Sequence, residues 1–184
     1  IYKSILVVIP VYLFAHYLAE HKIPKWLYGV GAAFLVSLLV CKNFYRRIIF
    51  FFYPFYEGSA FDKVDISFTN IAKCMGVLLL CIVFYKVALK ENVQAKFYFF
   101  LNVAGFAVYT FASFIPEVSR IGYYMIVSQI FLVPSVLMRI ENKGWRWFWT
   151  LGVAVAFLGY FGLFLHSAYN MDIRLLPYLN WIFN

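Results

Sequence analysis

The chain has 184 residues, of which 65% are hydrophobic and 13% charged, with a mean hydropathy of +0.80. Soluble domains average about 45–50% apolar and about 25% charged residues, and a globule this small has too much surface to hide such an excess, so composition argues against a water-soluble domain. The formal net charge of +8 would suggest nucleic acid in a soluble protein; in a membrane chain it marks Lys and Arg at helix ends facing anionic lipid, and no nucleic acid is expected as a partner.

A bilayer core of about 30 Å asks for roughly 20 apolar residues in a helix, and six segments come near that. In chain order they are 1–18, with Pro10 in its middle as a tolerable kink, 26–41, 66–89, 97–115, 121–138, with Pro134 inside as a second kink, and 147–167. An open strand in lipid leaves its backbone groups unmet, and no alternating segments suggest a barrel. The expected fold is therefore all-α, a polytopic transmembrane helix bundle of about six spans forming a single transmembrane domain over residues 1–184. The chain starts at Ile1 inside an apolar run with no signal peptide, which suggests the C-terminal part of a longer membrane protein. Gly29/Ala33 and Gly152/Ala156 are small pairs where helices could approach closely, with ordinary packing the favoured reading over a dedicated dimer face.

Two regions do not read as spans. Residues 42–65 are long and mixed; their apolar centre, 48–53, is too short to cross and is broken by Pro54 and flanked by Arg46 and Arg47. It reads as an outer re-entrant or interfacial segment. The tail, 169–184, carries Trp181 and Phe183 and also reads as interfacial. Cys41, Cys74 and Cys81 lie in or beside apolar runs and read as buried small hydrophobes.

Orientation follows from Lys and Arg in short loops. One side holds Lys22, Lys25, Lys86, Lys90, Lys96, Arg139, Lys143 and Arg146; the other holds Lys3, Lys42, Arg46, Arg47, Lys63, Lys73, Arg120 and Arg174. The totals are equal, so distribution decides. Every loop on the first side is short and basic, which places it in the cytoplasm, and Trp145, Trp147 and Trp149 anchor the last span there. Arg46, Arg47, Arg120 and Arg174 then face outward, where orientation rules do not explain them. A guanidinium matches phosphate or carboxylate oxygens, although contact with lipid headgroups would account for Arg46 and Arg47 as well.

Arg120 is the strongest of the four. Residues three and four apart share a helix face, so Tyr123 and Tyr124 sit beside it, one turn deeper. Glu117 is the nearest acid, able to pair with Arg120 or to act as a base. Asn70, Lys73, Asn102, Ser128 and Gln129 are the polar residues within spans. Gln129 lies near mid-membrane, where an unpaired amide is costly, and is expected to bond to a neighbouring helix. Lys73 is close enough to the outer end to snorkel. His166 is a possible proton acceptor, though a lone His is more often structural. No metal motif, phosphate-cradling Gly-rich loop or nucleophile elbow appears.

The run Arg120-Ile121-Gly122-Tyr123-Tyr124-Met125, followed by Ile130-Phe131-Leu132-Val133-Pro134, resembles the C-terminal half of EpsG-like proteins, the Wzy-type membrane polymerases of exopolysaccharide, capsule and O-antigen. Met125 stands where that family has an aromatic residue. Ser4-Ile5-Leu6-Val7-Val8-Ile9-Pro10 resembles the family's small-residue apolar helix ending in Pro, and Leu176-Pro177-Tyr178 its closing Pro-Tyr. The resemblance implies a metal-independent membrane glycosyltransferase without a cofactor, multi-pass in a bacterial plasma (inner) membrane. It would transfer a polyprenyl-pyrophosphate-linked oligosaccharide onto a second lipid-linked repeat unit on the outer face. Arg120 would meet the leaving pyrophosphate, with Arg46, Arg47 and Arg174 as helpers and Tyr123 and Tyr124 placing sugar or phosphate. Glu117, Asp62 and His166 are the candidate bases. Expected partners are the lipid-linked glycan, membrane lipid and other polysaccharide-assembly membrane proteins. Two alternatives remain open at the level of sequence: a transporter or flippase of lipid-linked glycans, and a non-catalytic membrane subunit.

Overall fold

The computed structural model describes residues 5–52, 54, 57–58, 66–115 and 118–168, and the described part of each of the six apolar segments is mainly helical. The helices are α1 (Ile5–Glu20), α2 (Lys25–Val40), α3 (Lys42–Phe52), α4 (Phe68–Val83), α5 (Val93–Phe111), α6 (Val118–Ile126), α7 (Gln129–Met138) and α8 (Lys143–Ala168). A π-helical turn, Tyr85–Leu89, prolongs α4. There is no strand among the described residues.

Among the described residues, two helical stretches are by length and composition long and apolar enough to cross a membrane: Arg120–Met138, which joins α6 to α7, and Lys143–His166 within α8. A third is obtained if α2 and α3 count as one broken span; they are bent by 82° at Cys41. The described part of α1 and α4 itself are shorter apolar helices. The interfacial tail proposed over 169–184 lies outside the described residues.

The local chemistry of the helix ends is conventional. Asn92 caps α5, its side chain accepting from the Ala95 amide at 3.2 Å. Asn142 does the same for α8, accepting from Gly144 and Trp145 at 2.9 and 3.2 Å. Each cap satisfies amides that have no carbonyl within the helix. The segment around Arg46 and Arg47, read from sequence as interfacial, is a helix with Lys42, Asn43, Arg46 and Arg47 on one face and aromatic and aliphatic residues on the rest. Such a basic amphipathic helix suits a membrane surface. It packs against α2, and the hydroxyls of Ser37 and Tyr45 meet across the bend at 2.9 Å.

The chain divides into two compact units, Ile1–Ile140 and Glu141–Asn184. In the second, α8 is one continuous helix, apolar around its circumference. The first is organised around α5, which packs against α1, α4, α6 and α7. Its inward stripe is Ala95, Leu101, Asn102, Gly105 and Tyr109. Gly105 lets α6 come close, since a Cβ there would lie 2.9 Å from the Ile126 methyl. Beside it, Cys74 of α4, Tyr109 and Ile126 form a sealed apolar cluster backed by Ile71 and Phe106. Cys74 and Cys81 are fully buried, as small hydrophobes are, whereas Cys41 is exposed at the bend.

Polar side chains cross this core in one connected group. The Gln129 amide on α7 donates to Asn102 Oδ1 on α5 at 2.6 Å. The Asn102 amide donates to the Cys74 carbonyl on α4 at 3.3 Å, and Gln129 also lies 3.7 Å from Cys74 Sγ. The expectation that Gln129 bonds to a neighbouring helix is met. Each amide is buried, and each would be costly to leave unpaired.

Two outcomes follow for stability. Replacing Gly122 with Ala puts a Cβ 2.6 Å from the Tyr109 hydroxyl oxygen and is expected to cost about 1–3 kcal/mol by overpacking. Gly76→Ala, which meets nothing within 4 Å, should be neutral or stabilising by up to about 1 kcal/mol; thermal unfolding in detergent compares the two. A double-mutant cycle of Asn102→Leu and Gln129→Leu should show a coupling of about 0.6–1.7 kcal/mol, the range for hydrogen bonds between membrane helices. Strict additivity would deny the bond.

Candidate functional site

Helix α6 has two faces. Gly122, Met125 and Ile126 point into the unit, whereas Arg120, Tyr123 and Tyr124 are exposed. The i, i+3, i+4 spacing therefore does what helical geometry requires and sets two phenols one turn below a guanidinium. Tyr123 is 51% and Tyr124 39% exposed, enough surface for a sugar ring to stack on. The face is held from behind. Gly122 has no side chain, so the ring of Tyr109 from α5 lies directly beneath the backbone between Ile121 and Tyr123.

α6 does not run smoothly into α7. At Val127 and Ser128 the helix tightens: the amides of Ser128, Ile130 and Phe131 reach back three residues, to Met125, Val127 and Ser128, at 3.1–3.2 Å. The Ser128 hydroxyl also donates to the Met125 carbonyl at 2.7 Å, competing for the helical ladder as Ser side chains do. Because the Ser128 amide goes to Met125, the Tyr124 carbonyl loses its helical donor. The Tyr12 hydroxyl of α1 donates to that carbonyl instead. Pro10 and Pro134, the sequence-level candidates for kinks, both sit inside continuous helix. The interruption lies six residues upstream of Pro134, where a serine side chain takes over a backbone bond.

Lys73 lies on α4 and is half-buried. Its sequence neighbour Cys74 packs on Tyr109, which in turn lies under Gly122 of α6. Sequence reasoning placed Lys73 as a snorkelling residue and did not foresee this link between α4 and α6.

The remaining expected site residues are distributed otherwise. Arg46 is half-buried on α3, its guanidinium 5.3 Å from the centre of the Phe50 ring, a geometry in which cation and ring attract. Arg47 is exposed on the same helix. The packing of α3 is against α2, so these two arginines belong to a separate element from Arg120. His166 is exposed near the end of α8. Glu117, Asp62 and Arg174 lie outside the described residues. Among the described residues, no group of three His, Cys, Asp or Glu side chains is placed to hold a metal ion.

The chemistry available on α6 is anion binding next to a stacking surface. Arg120 sits in the first turn, where the helix dipole is positive. A cation is poorly placed there for the helix alone, but both the dipole and the guanidinium favour an incoming anion.

Compared with known proteins, the model of the EpsG family matches residues 1–180 of the chain. No curated protein and no solved structure matches.

The bond from Tyr12 to the Tyr124 carbonyl gives a direct check on the site's framework. Tyr12→Phe is expected to lower stability by about 1 kcal/mol, the usual net worth of one hydrogen bond. It should also raise amide exchange around Met125–Ser128 in hydrogen–deuterium exchange, with other segments unchanged. Unaltered protection at the break would mean that α1 does not brace it.

Proposed function

The chain belongs to the EpsG family, and on that footing we propose that it is a polymerase of exopolysaccharide, acting on lipid-linked glycan at a membrane. Its six apolar segments cross a bacterial plasma membrane as one transmembrane domain, and the face of α6 looks outward. The donor is a polyprenyl-pyrophosphate-linked oligosaccharide; the acceptor is a second lipid-linked repeat unit. The acceptor hydroxyl oxygen forms a bond to the anomeric carbon of the donor sugar. The bond from that carbon to the phosphate oxygen breaks, and the lipid pyrophosphate leaves with the electron pair. Glu117 is the candidate to take the hydroxyl proton.

The observation that supports this reading best is the exposed constellation of Arg120, Tyr123 and Tyr124 on one rigidly backed helix face. Negative charge grows on the leaving pyrophosphate in the transition state, and a preplaced guanidinium lowers that barrier without reorganising. The phenols supply donors and a flat surface for the sugar. Arg46, Arg47 and Arg174 are proposed as helpers that draw the lipid phosphate to the protein. Other polysaccharide-assembly membrane proteins are the natural neighbours of such a reaction.

A second reading, movement of lipid-linked glycan across the membrane, has one observation in its favour. The interruption between α6 and α7 resembles the discontinuous helices that form substrate sites in transporters.

The test uses purified protein in vesicles with isotope-labelled lipid-linked repeat units. Growth of long glycan is expected. Arg120→Ala should slow it about 10²–10³-fold, the usual effect of losing one donor to a developing oxyanion. Arg120→Lys should restore little, since an ammonium cannot make the bidentate contact. Lipid movement without chain growth would favour the transporter, and full activity in Arg120→Lys would sink the argument from the planar fork.

A further inference from the structure

α2 and α3 meet in an elbow one residue long. The Cys41 amide donates to the Ser37 carbonyl at 2.8 Å, ending α2, and the Cys41 carbonyl accepts from the Tyr45 amide at 3.2 Å, starting α3. A side-chain bond ties the inside of the elbow. The Ser37 hydroxyl donates to the Phe34 carbonyl at 2.7 Å and so accepts from the Tyr45 hydroxyl at 2.9 Å. The two helices are bent by 82°, so α3, about 16 Å long, advances only about 2 Å along the axis of α2. It adds almost nothing to the depth of that span.

The tie to Ser37 also fixes how α3 is rolled about its own axis, because Tyr45 must point toward α2. At about 100° per residue, Ile48 and Ile49 fall within about 60° of Tyr45, whereas Lys42, Asn43, Arg46 and Arg47 centre about 130° away. The apolar side of α3 therefore turns toward α2, and the basic side turns away from it. Lys42, Asn43 and Arg47 are exposed; the Arg46 guanidinium lies over the Phe50 ring. Beyond Lys25, α2 has no charged residue, and only its Leu38 is buried. No Asp or Glu occurs between Glu20 and Glu57, so neither helix supplies a counter-charge of its own. With α2 in lipid, a basic face turned away from the hydrocarbon at the end of the stem lies at the level of the headgroups, and its net positive charge favours an anionic lipid over a zwitterionic one. We propose that α3 is the end of a span broken at Cys41, laid along the membrane surface with a fixed roll, and that Lys42, Asn43 and Arg47 form a docking surface for anionic phospholipid headgroups of that leaflet. Only the elbow and a bilayer are needed for this, so it stands whether or not the chain is a polymerase.

The native Cys41 offers a reporter beside this surface. It is exposed, whereas Cys74 and Cys81 are buried, so bimane attached to the full chain at Cys41 samples the lipids around α3. In nanodiscs, doxyl-labelled phosphatidylglycerol should quench it at least about twofold more than doxyl-labelled phosphatidylcholine at equal mole fraction, and the preference should fall toward parity in about 1 M salt. Lys42→Gln combined with Arg47→Gln should abolish the preference, whereas Lys42→Arg combined with Arg47→Lys should keep it. Equal quenching by the two lipids in the parent overturns the docking surface, as does a preference that survives the paired Gln changes. The roll has its own check. In a Cys41→Ser background, bimane at Asn43→Cys should be quenched chiefly by aqueous iodide and bimane at Ile48→Cys chiefly by doxyl lipid. The same accessibility at both positions overturns the fixed roll.

Discussion

The hydrogen bond from Gln129 to Asn102, 2.6 Å long and buried in the apolar centre of the first unit, fixes how α4, α5 and α7 meet. Neither amide has water to fall back on, and each would be costly to leave unmet. Only one register satisfies both and also brings the Asn102 amide to the Cys74 carbonyl. Apolar packing alone sets no such register, because Leu against Leu is much the same one turn up or down. In lipid the hydrophobic effect does not drive one helix onto another, so close packing and directional polar contacts carry the choice. The placement of Cys74 on α4 and of α6 ahead of α7 follows from it.

The shared face of the candidate residues was legible in the sequence because it lies within one turn of one helix. Arg120, Tyr123 and Tyr124 share a face by the arithmetic of 3.6 residues per turn, whatever the rest of the chain does. Gln129 was legible in half: its depth in an apolar run demands a partner on another helix, but nothing local names Asn102. The packed path from Cys74 on α4 through Tyr109 on α5 to α6 left no local mark. The path uses Gly122, whose lack of a side chain is meaningful only once the Tyr109 ring is seen beneath it.

The departures have similar causes. Proline was the obvious place to expect a break in the segment that became α6 and α7, yet Pro134 rides within the helix and Ser128 makes the interruption. A serine can compete for a backbone carbonyl or point elsewhere, and the sequence does not say which. The segment around Arg46 and Arg47, set apart from the spans in the sequence, is a helix that either ends a broken span with α2 or forms a re-entrant loop. Its polar residues fall on one face only when counted at helical period, and its 82° bend away from α2 comes at Cys41, which carries no Gly or Pro signal. The π-helical turn after α4 likewise leaves no compositional mark.

That bend has a consequence for the bilayer itself. α2 is 16 residues long between Pro24 and Cys41, which gives about 24 Å at 1.5 Å per residue. As a span it falls short of a hydrocarbon core of about 30 Å. A bilayer meets such a mismatch by thinning locally, and the basic face of α3, turned sideways at the end of α2, gives anionic headgroups a place to settle at that lower level. Next to this protein the leaflet would dip. A lipid at that boundary would sit lower than its neighbours without leaving the membrane, a consequence of helix length alone.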